Sequence, residues 1–198
     1  MVRGIMKIKA GTCFLLLFGM VLSADAQGEN DRFVSLYAGQ FSNTALNEIV
    51  RFGVDFEGTY VYVLSLGREM GRWKDKLALE LEGQVGAYSG AQSHLEANGA
   101  FTLRWLSFPW DRWLETSFAF GNGLSYASKD PPLEVREGNE GRSAQLLYYI
   151  LVEMAFAAPR HPEWELFARI HHRSSVFGLF DGLFTASNFA GLGLRYRF

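Results

Sequence analysis

Four histidines and one cysteine are spread along 198 residues, and one histidine stands beside a partner suited to nucleophilic chemistry. His172 and Ser174 are separated by a single residue. On an extended chain, residues two apart share a face. An imidazole would therefore neighbour a hydroxyl whose proton it can take. The other histidines offer less. His161 lies in a Pro-flanked turn, His94 has no partner legible in the sequence, and the His171-His172 pair alone is too little for a metal site. Cys13, being single, gives neither an intrachain disulfide nor a cysteine-based metal centre. No metal and no organic cofactor are expected.

The elements that must position this pair are strands. Period-2 alternation predicts eight, at about 33–41, 58–68, 77–88, 94–107, 112–126, 144–157, 163–174 and 189–198. Tight connections fall after the second, fourth and sixth, at Gly71-Arg72, Pro109-Trp110-Asp111 and Pro159-Arg160-His161-Pro162. The other connections are mostly longer, the fifth being rich in Pro, Gly and charge between residues 127 and 143. Residues 1–26 read as a signal peptide: Arg3, Lys7 and Lys9, an apolar run from Gly11 to Leu22, then Ala24-Asp25-Ala26. A single domain over 27–198 is expected to follow. No stretch approaches the roughly 18 consecutive apolar residues of a membrane helix. A formal charge of −2 excludes a nucleic-acid binder held by phosphate contacts.

One face of each strand is apolar along its length: Leu192, Leu194, Tyr196 and Phe198 in the last, Leu146, Tyr148, Ile150, Val152, Met154 and Phe156 in the sixth. The opposite faces carry Glu80, Glu82, Glu96, Arg104, Glu115, Glu153, Arg169, Arg195 and Arg197. Aromatic residues recur near strand ends (Phe33, Tyr60, Tyr88, Trp105, Trp110, Trp113, Tyr126, Trp164), as in an interfacial girdle. These features predict an all-β fold: an eight-stranded antiparallel transmembrane β-barrel of the bacterial outer membrane, its charged residues packed inside rather than lining a pore. A soluble, exported lipid-binding barrel with its apolar face inward is the competing architecture.

Parity then places the candidate pair. Trp164, Leu166, Ala168 and Ile170 lead into His172 and Ser174 on the lipid-facing side, while Arg169, His171 and Arg173 point inward. A His-Ser pair against lipid suits an esterase acting on a membrane lipid. A strand that has already left the bilayer at this point would leave both residues simply wet.

His172-Arg173-Ser174, ending the penultimate strand of a small barrel and followed by a Gly-containing loop and a last strand ending in Phe198, resembles the lipid A 3-O-deacylases of the PagL type. Tyr37-Ala38-Gly39-Gln40-Phe41-Ser42 is similar to their early sequence. The resemblance implies an outer-membrane enzyme that removes the 3-O acyl chain of lipid A, with Ser174 as nucleophile and His172 as base. Its substrate would be lipopolysaccharide in the outer leaflet; a homodimer is left open. Two positions depart from the family: Ser175 stands where Asn is common, and Ser187-Asn188 stand roughly where a Glu is expected. Asn188 is then the candidate orienter of His172, with Asp181 as its rival. Backbone N–H groups near Ser175 and Gly178 are candidate oxyanion donors. The apolar loop 176–184 would hold an acyl chain or rest on the membrane. A different class of function is a non-catalytic barrel acting in adhesion or envelope stability through its long loops.

Overall fold

Alternation at this length needs partners for every strand edge, and the chain supplies them by closing on itself. The computed structural model describes residues 31–49, 51, 53–137, 141–176, 179, 182 and 184–198. The expected signal peptide, Gly178 and Asp181 lie outside these residues. Eight strands form one closed antiparallel barrel in sequence order: β1 (Arg32–Ser42), β2 (Phe56–Trp73), β3 (Leu77–Ser89), β4 (Leu95–Trp105), β5 (Glu115–Ala127), β6 (Leu146–Ala158), β7 (His161–Ser174) and β8 (Ala186–Arg197). Pairing of β1 with β8, from Phe33↔Arg197 to Ser42↔Asn188, closes the ring. Closure leaves no free edge, which a strand structure in lipid requires. Two short helices lie in the long connections: α1 (Leu46–Ile49) and α2 (Pro132–Glu137).

Several boundaries differ from the sequence reading; β7 begins at His161, so the turn expected at Pro159-Arg160-His161-Pro162 is only Pro159-Arg160. The second strand runs on to Trp73 through a register shift between Glu69 and Gly71. Its turn is therefore Lys74-Asp75, with φ of 51° and 52°, not Gly71-Arg72. Lys76 follows before Leu77 pairs with Trp73, and its N–H donates to the Trp73 carbonyl at 3.0 Å; positive φ at both central residues of that turn matches strand twist. The fifth strand begins only at Glu115. Before it, the Asp111 carboxylate accepts from the N–H groups of Phe108 and Thr116 and holds a compact turn. The last strand starts at Ala186, three residues early. Ser187 and Asn188 are thus strand residues, which their polarity hides from a hydrophobic pattern.

The outer wall is apolar. Leu36, Leu64, Phe101, Leu103, Phe120, Leu166, Leu192 and Leu194 are all exposed on it. Trp73, Trp105, Trp110, Trp113 and Trp164 are exposed towards the short-turn end, with Tyr60 and Tyr126 at the other. Short turns mark the periplasmic end of such barrels and long loops the extracellular end. Phe33 and Tyr88 are not part of this girdle: both are buried inside. Phe33 lies beneath the Arg195 and Arg197 guanidinium groups, 4.7 and 5.1 Å from its ring centroid. Opposite it in the register is Gly67, where a Cβ would come within 2.0 Å of the Phe33 ring.

Inside, four arginines meet four glutamates. Glu153 accepts from Arg104 and Arg195, each at 2.8 Å, and from Arg169 at 2.5 Å. Arg169 also reaches Glu82 at 2.8 Å, and Arg104 reaches Glu80 at 3.0 Å. Arg197 joins Glu80 at 2.7 Å and Glu165. Glu115 departs from the expectation of a packed interior charge: it is half-exposed and lines the periplasmic mouth beside Asp111 and Glu163. Its position as the first residue of β5 puts it at the rim.

Candidate functional site

The strand β7 carries two different chemistries on its two faces. Its exposure alternates from Trp164 onward, with Trp164, Leu166 and Ala168 outside and Glu165, Phe167 and Arg169 inside. His172 continues the outer series yet is only 8% exposed. The cover comes from the connection between β1 and β2 and from the start of β8. Together they form a cleft of about 700 Å³ on the outside of the barrel. It is lined by His172, Ser174 and Asn188, by Tyr148 and Ile150 of the neighbouring strand, and by residues 41–47.

Register explains the assembly. His172 lies opposite Ile150 on one side and Asn188 on the other; Ser174 lies opposite Tyr148 and Ala186. All have the same parity, so all face outward. His172 Nδ1 stands 2.6 Å from Asn188 Oδ1. The Asn188 amide is fixed in turn, because its Nδ2 donates to the Thr44 carbonyl at 2.9 Å. That bond directs Oδ1, an acceptor only, at the imidazole. Nδ1 must then carry the proton, which leaves Nε2 as the basic nitrogen. His172 and Ser174 are not hydrogen-bonded to each other here; in resting sites such bonds are often long and shorten when substrate binds.

The residue Val176 has φ of 49°, a left-handed conformation that strains a β-branched side chain. It follows Ser174 by two residues and lines the same cleft. Ser175 does not face an oxyanion. Its N–H donates to the Thr185 carbonyl at 3.0 Å, and its hydroxyl accepts from the Thr185 N–H at 3.0 Å. The adjacent strand ends need this stitch because the loop begins there. Two carboxamides missed by the sequence reading, Asn43 and Asn47, line the cleft. An Asn side chain is among the groups that can donate to an oxyanion. No local pattern flagged them, since only closure of the barrel brings the β1–β2 connection to β7 and β8.

Behind the cleft, inside the barrel, lies a second polar cluster. His171 Nε2 is 2.8 Å from Glu96, and the Tyr88 hydroxyl donates to Glu96 at 2.7 Å. His94 stacks on Tyr88 with 4.2 Å between ring centroids. Arg173 points inward to Glu134 of α2, at 3.1 Å. Among the described residues, no group of three or more His, Cys, Asp or Glu is placed to hold a metal ion.

No family model matches the chain, and no curated protein matches it. Its fold is similar to solved structures. With the outer membrane enzyme PagL it shares 12% identity at a TM-score of 0.54, over 83% of this chain and 98% of that one. With Neisserial surface protein A (NspA) the values are 13% and 0.52, over 87% and 100%. The N-terminal β-barrel domain of Pseudomonas aeruginosa OprF gives 13% and 0.51, over 87% and 100%. At these identities the likeness is one of fold. The chain is an eight-stranded outer-membrane β-barrel, and its apolar outer wall suits that setting.

Proposed function

We propose that the protein is an outer-membrane esterase that removes an ester-linked acyl chain from a lipid, with the 3-O chain of lipid A as the intended substrate. The observation that carries this reading is His172, held by Asn188 at 2.6 Å in an outward-facing cleft that Ser174 also lines. A structural barrel gains nothing from polar side chains on a lipid-facing wall. An enzyme whose substrate lies in the leaflet does.

The reaction follows from the groups present. His172 Nε2 takes the Ser174 proton as Oγ attacks the ester carbonyl. The tetrahedral intermediate collapses to an acyl-serine, and the imidazolium returns the proton to the leaving sugar oxygen. A water activated by His172 then releases the fatty acid and restores the serine. Asn188 keeps the imidazole in the tautomer this sequence needs. A neutral amide stabilises the imidazolium less than a carboxylate would, so turnover should be slower than with an acidic orienter.

Mass spectrometry of lipid A tests the reading in cells expressing wild type, Ser174→Ala or an empty vector. Loss of one hydroxyacyl mass with wild type alone is expected. For purified protein, Ser174→Ala should lower kcat by at least about 10³-fold. Unchanged lipid A from a folded wild-type barrel would overturn the reading and favour adhesion or envelope stability through the loops.

A further inference from the structure

The connection between β5 and β6 turns back into the barrel instead of standing out in solvent. Leu133 of α2 is 3% exposed and joins the aromatic core of Phe41, Tyr88 and Phe189. Its neighbour Glu134 is 1% exposed, and every polar atom of its side chain is engaged. Oε1 accepts from the Ser187 hydroxyl at 2.8 Å and meets Arg173 Nη1 at 3.1 Å. Oε2 accepts from the Ser143 hydroxyl at 2.6 Å. The Glu134 carbonyl accepts from the Thr185 hydroxyl at 2.6 Å.

Two of these partners have special positions. Arg173 lies between His172 and Ser174, and Ser187 immediately precedes Asn188. Arg173 and Ser187 are themselves a register pair of β7 and β8. In a strand, neighbouring side chains point to opposite faces from one backbone. The inner partners of Glu134 therefore share backbone with the outer groups His172, Ser174 and Asn188. Arg173 is held in two further ways, by Glu96 at 3.4 Å and by donating to the Gln145 carbonyl at 3.0 Å.

Resting on the esterase reading, we propose that Glu134 is a positioning residue: from inside the barrel it clamps β7 to β8 so that His172, Ser174 and Asn188 keep their outward geometry. Glu134 touches neither substrate nor the reacting atoms; it acts through Arg173 and Ser187.

The test uses full-length barrel in detergent micelles with a lipid A preparation as substrate, alongside Ser174 labelling by a fluorophosphonate. Glu134→Ala should lower kcat by about 10- to 100-fold while KM stays within about threefold, as small misplacements of catalytic groups do. The labelling rate should fall in parallel. Glu134→Gln keeps the size and an acceptor oxygen, and should recover part of both. Arg136→Ala, on the same helix but exposed, should match wild type. Heat-modifiable mobility on gels normalises each rate to folded barrel. A normal kcat in folded Glu134→Ala, or a rise in KM alone, overturns the proposal and leaves the esterase reading standing. If Glu134→Ala does not fold, Ser187→Ala, which removes one of the two strand contacts of Glu134, takes its place, and a normal kcat there overturns the proposal. Equal, negligible rates in wild type and Ser174→Ala would overturn both.

Discussion

The two halves of the barrel interior are both charged, but they are built differently. The periplasmic half is closed by strands alone: Arg104, Arg169, Arg195 and Arg197 interlock with Glu80, Glu82, Glu153 and Glu165. The extracellular half depends on a loop. There Tyr88, Glu96, His171 and Arg173 meet Glu134, which arrives on α2. Both ring nitrogens of His94, Nδ1 of His171 and Oε1 of Gln92 have no hydrogen-bond partner in this half. Burial holds His94 down to about 4, so it is neutral at neutral pH. The strand-borne network leaves Arg195 Nε without a partner too, but its carboxylates Glu80, Glu153 and Glu165 are each shared by two or more arginines, which resists any single rearrangement. A half-satisfied one closed by a loop can adjust. The outer cleft lies over the adjustable half, which ties the candidate chemistry to loop contacts rather than to the rigid girder below.

Breaking the girder should produce the largest loss of stability. Glu153→Ala removes the carboxylate shared by Arg104, Arg169 and Arg195. Three buried cations would lose their common partner. Breaking a buried pair costs about 3–5 kcal/mol, and the barrel should lose that much in urea titrations monitored in lipid vesicles. Loss of folded protein, with kcat of the remaining barrel near wild type, would sharpen the division between the halves. A large drop in kcat with unchanged stability would erase it.

The second largest effect is expected at the site. Asn188→Leu removes the acceptor that fixes His172, and kcat should fall about 10²- to 10³-fold with little change in KM. Asn188→Asp should keep activity within about tenfold of wild type or raise it, because a carboxylate orients the same tautomer and stabilises the imidazolium. The Thr44 carbonyl, which accepts from the Asn188 amide at 2.9 Å, would then face an oxygen, and that repulsion limits the gain. Equal activity of Asn188→Leu and wild type would mean that the imidazole is oriented by something else.

How much of this could be read in the sequence follows the same division. The strand-borne half was visible, because period-2 alternation reports which face each Arg and Glu occupies. The outward parity of His172 and Ser174 came from the same signal. What escaped was carried by loops or set by closure. Glu134 looked like one more charge in a Pro-rich connection; its burial follows from Leu133 beside it, which one apolar residue in a loop does not announce. Thr44, Asn43 and Asn47 reach the site only because β1 pairs with β8, a contact across most of the chain length. Phe33 and Tyr88 carry the aromatic identity of girdle residues, but their parity puts them inside the barrel.

The smallest effect should come from the ion pair between Arg136 of α2 and Glu57, outside the barrel. Arg136 reaches Glu57 at 2.8 Å, but the side chains are 48% and 31% exposed. Water screens such a pair, and exposed pairs measured by double-mutant cycles contribute about 0–1 kcal/mol. Its guanidinium is also 5.8 Å from the Phe41 ring centroid, where a cation–π contact at an exposed site adds about 0.5–1 kcal/mol. Arg136→Ala should therefore cost about 0.5–2 kcal/mol in the vesicle titration. A loss approaching that of Glu153→Ala would show that α2 is held from outside, by its rim contacts. The burial of Leu133 and Glu134 would then follow from rim docking, and the extracellular half would depend on Arg136 as the periplasmic half depends on Glu153.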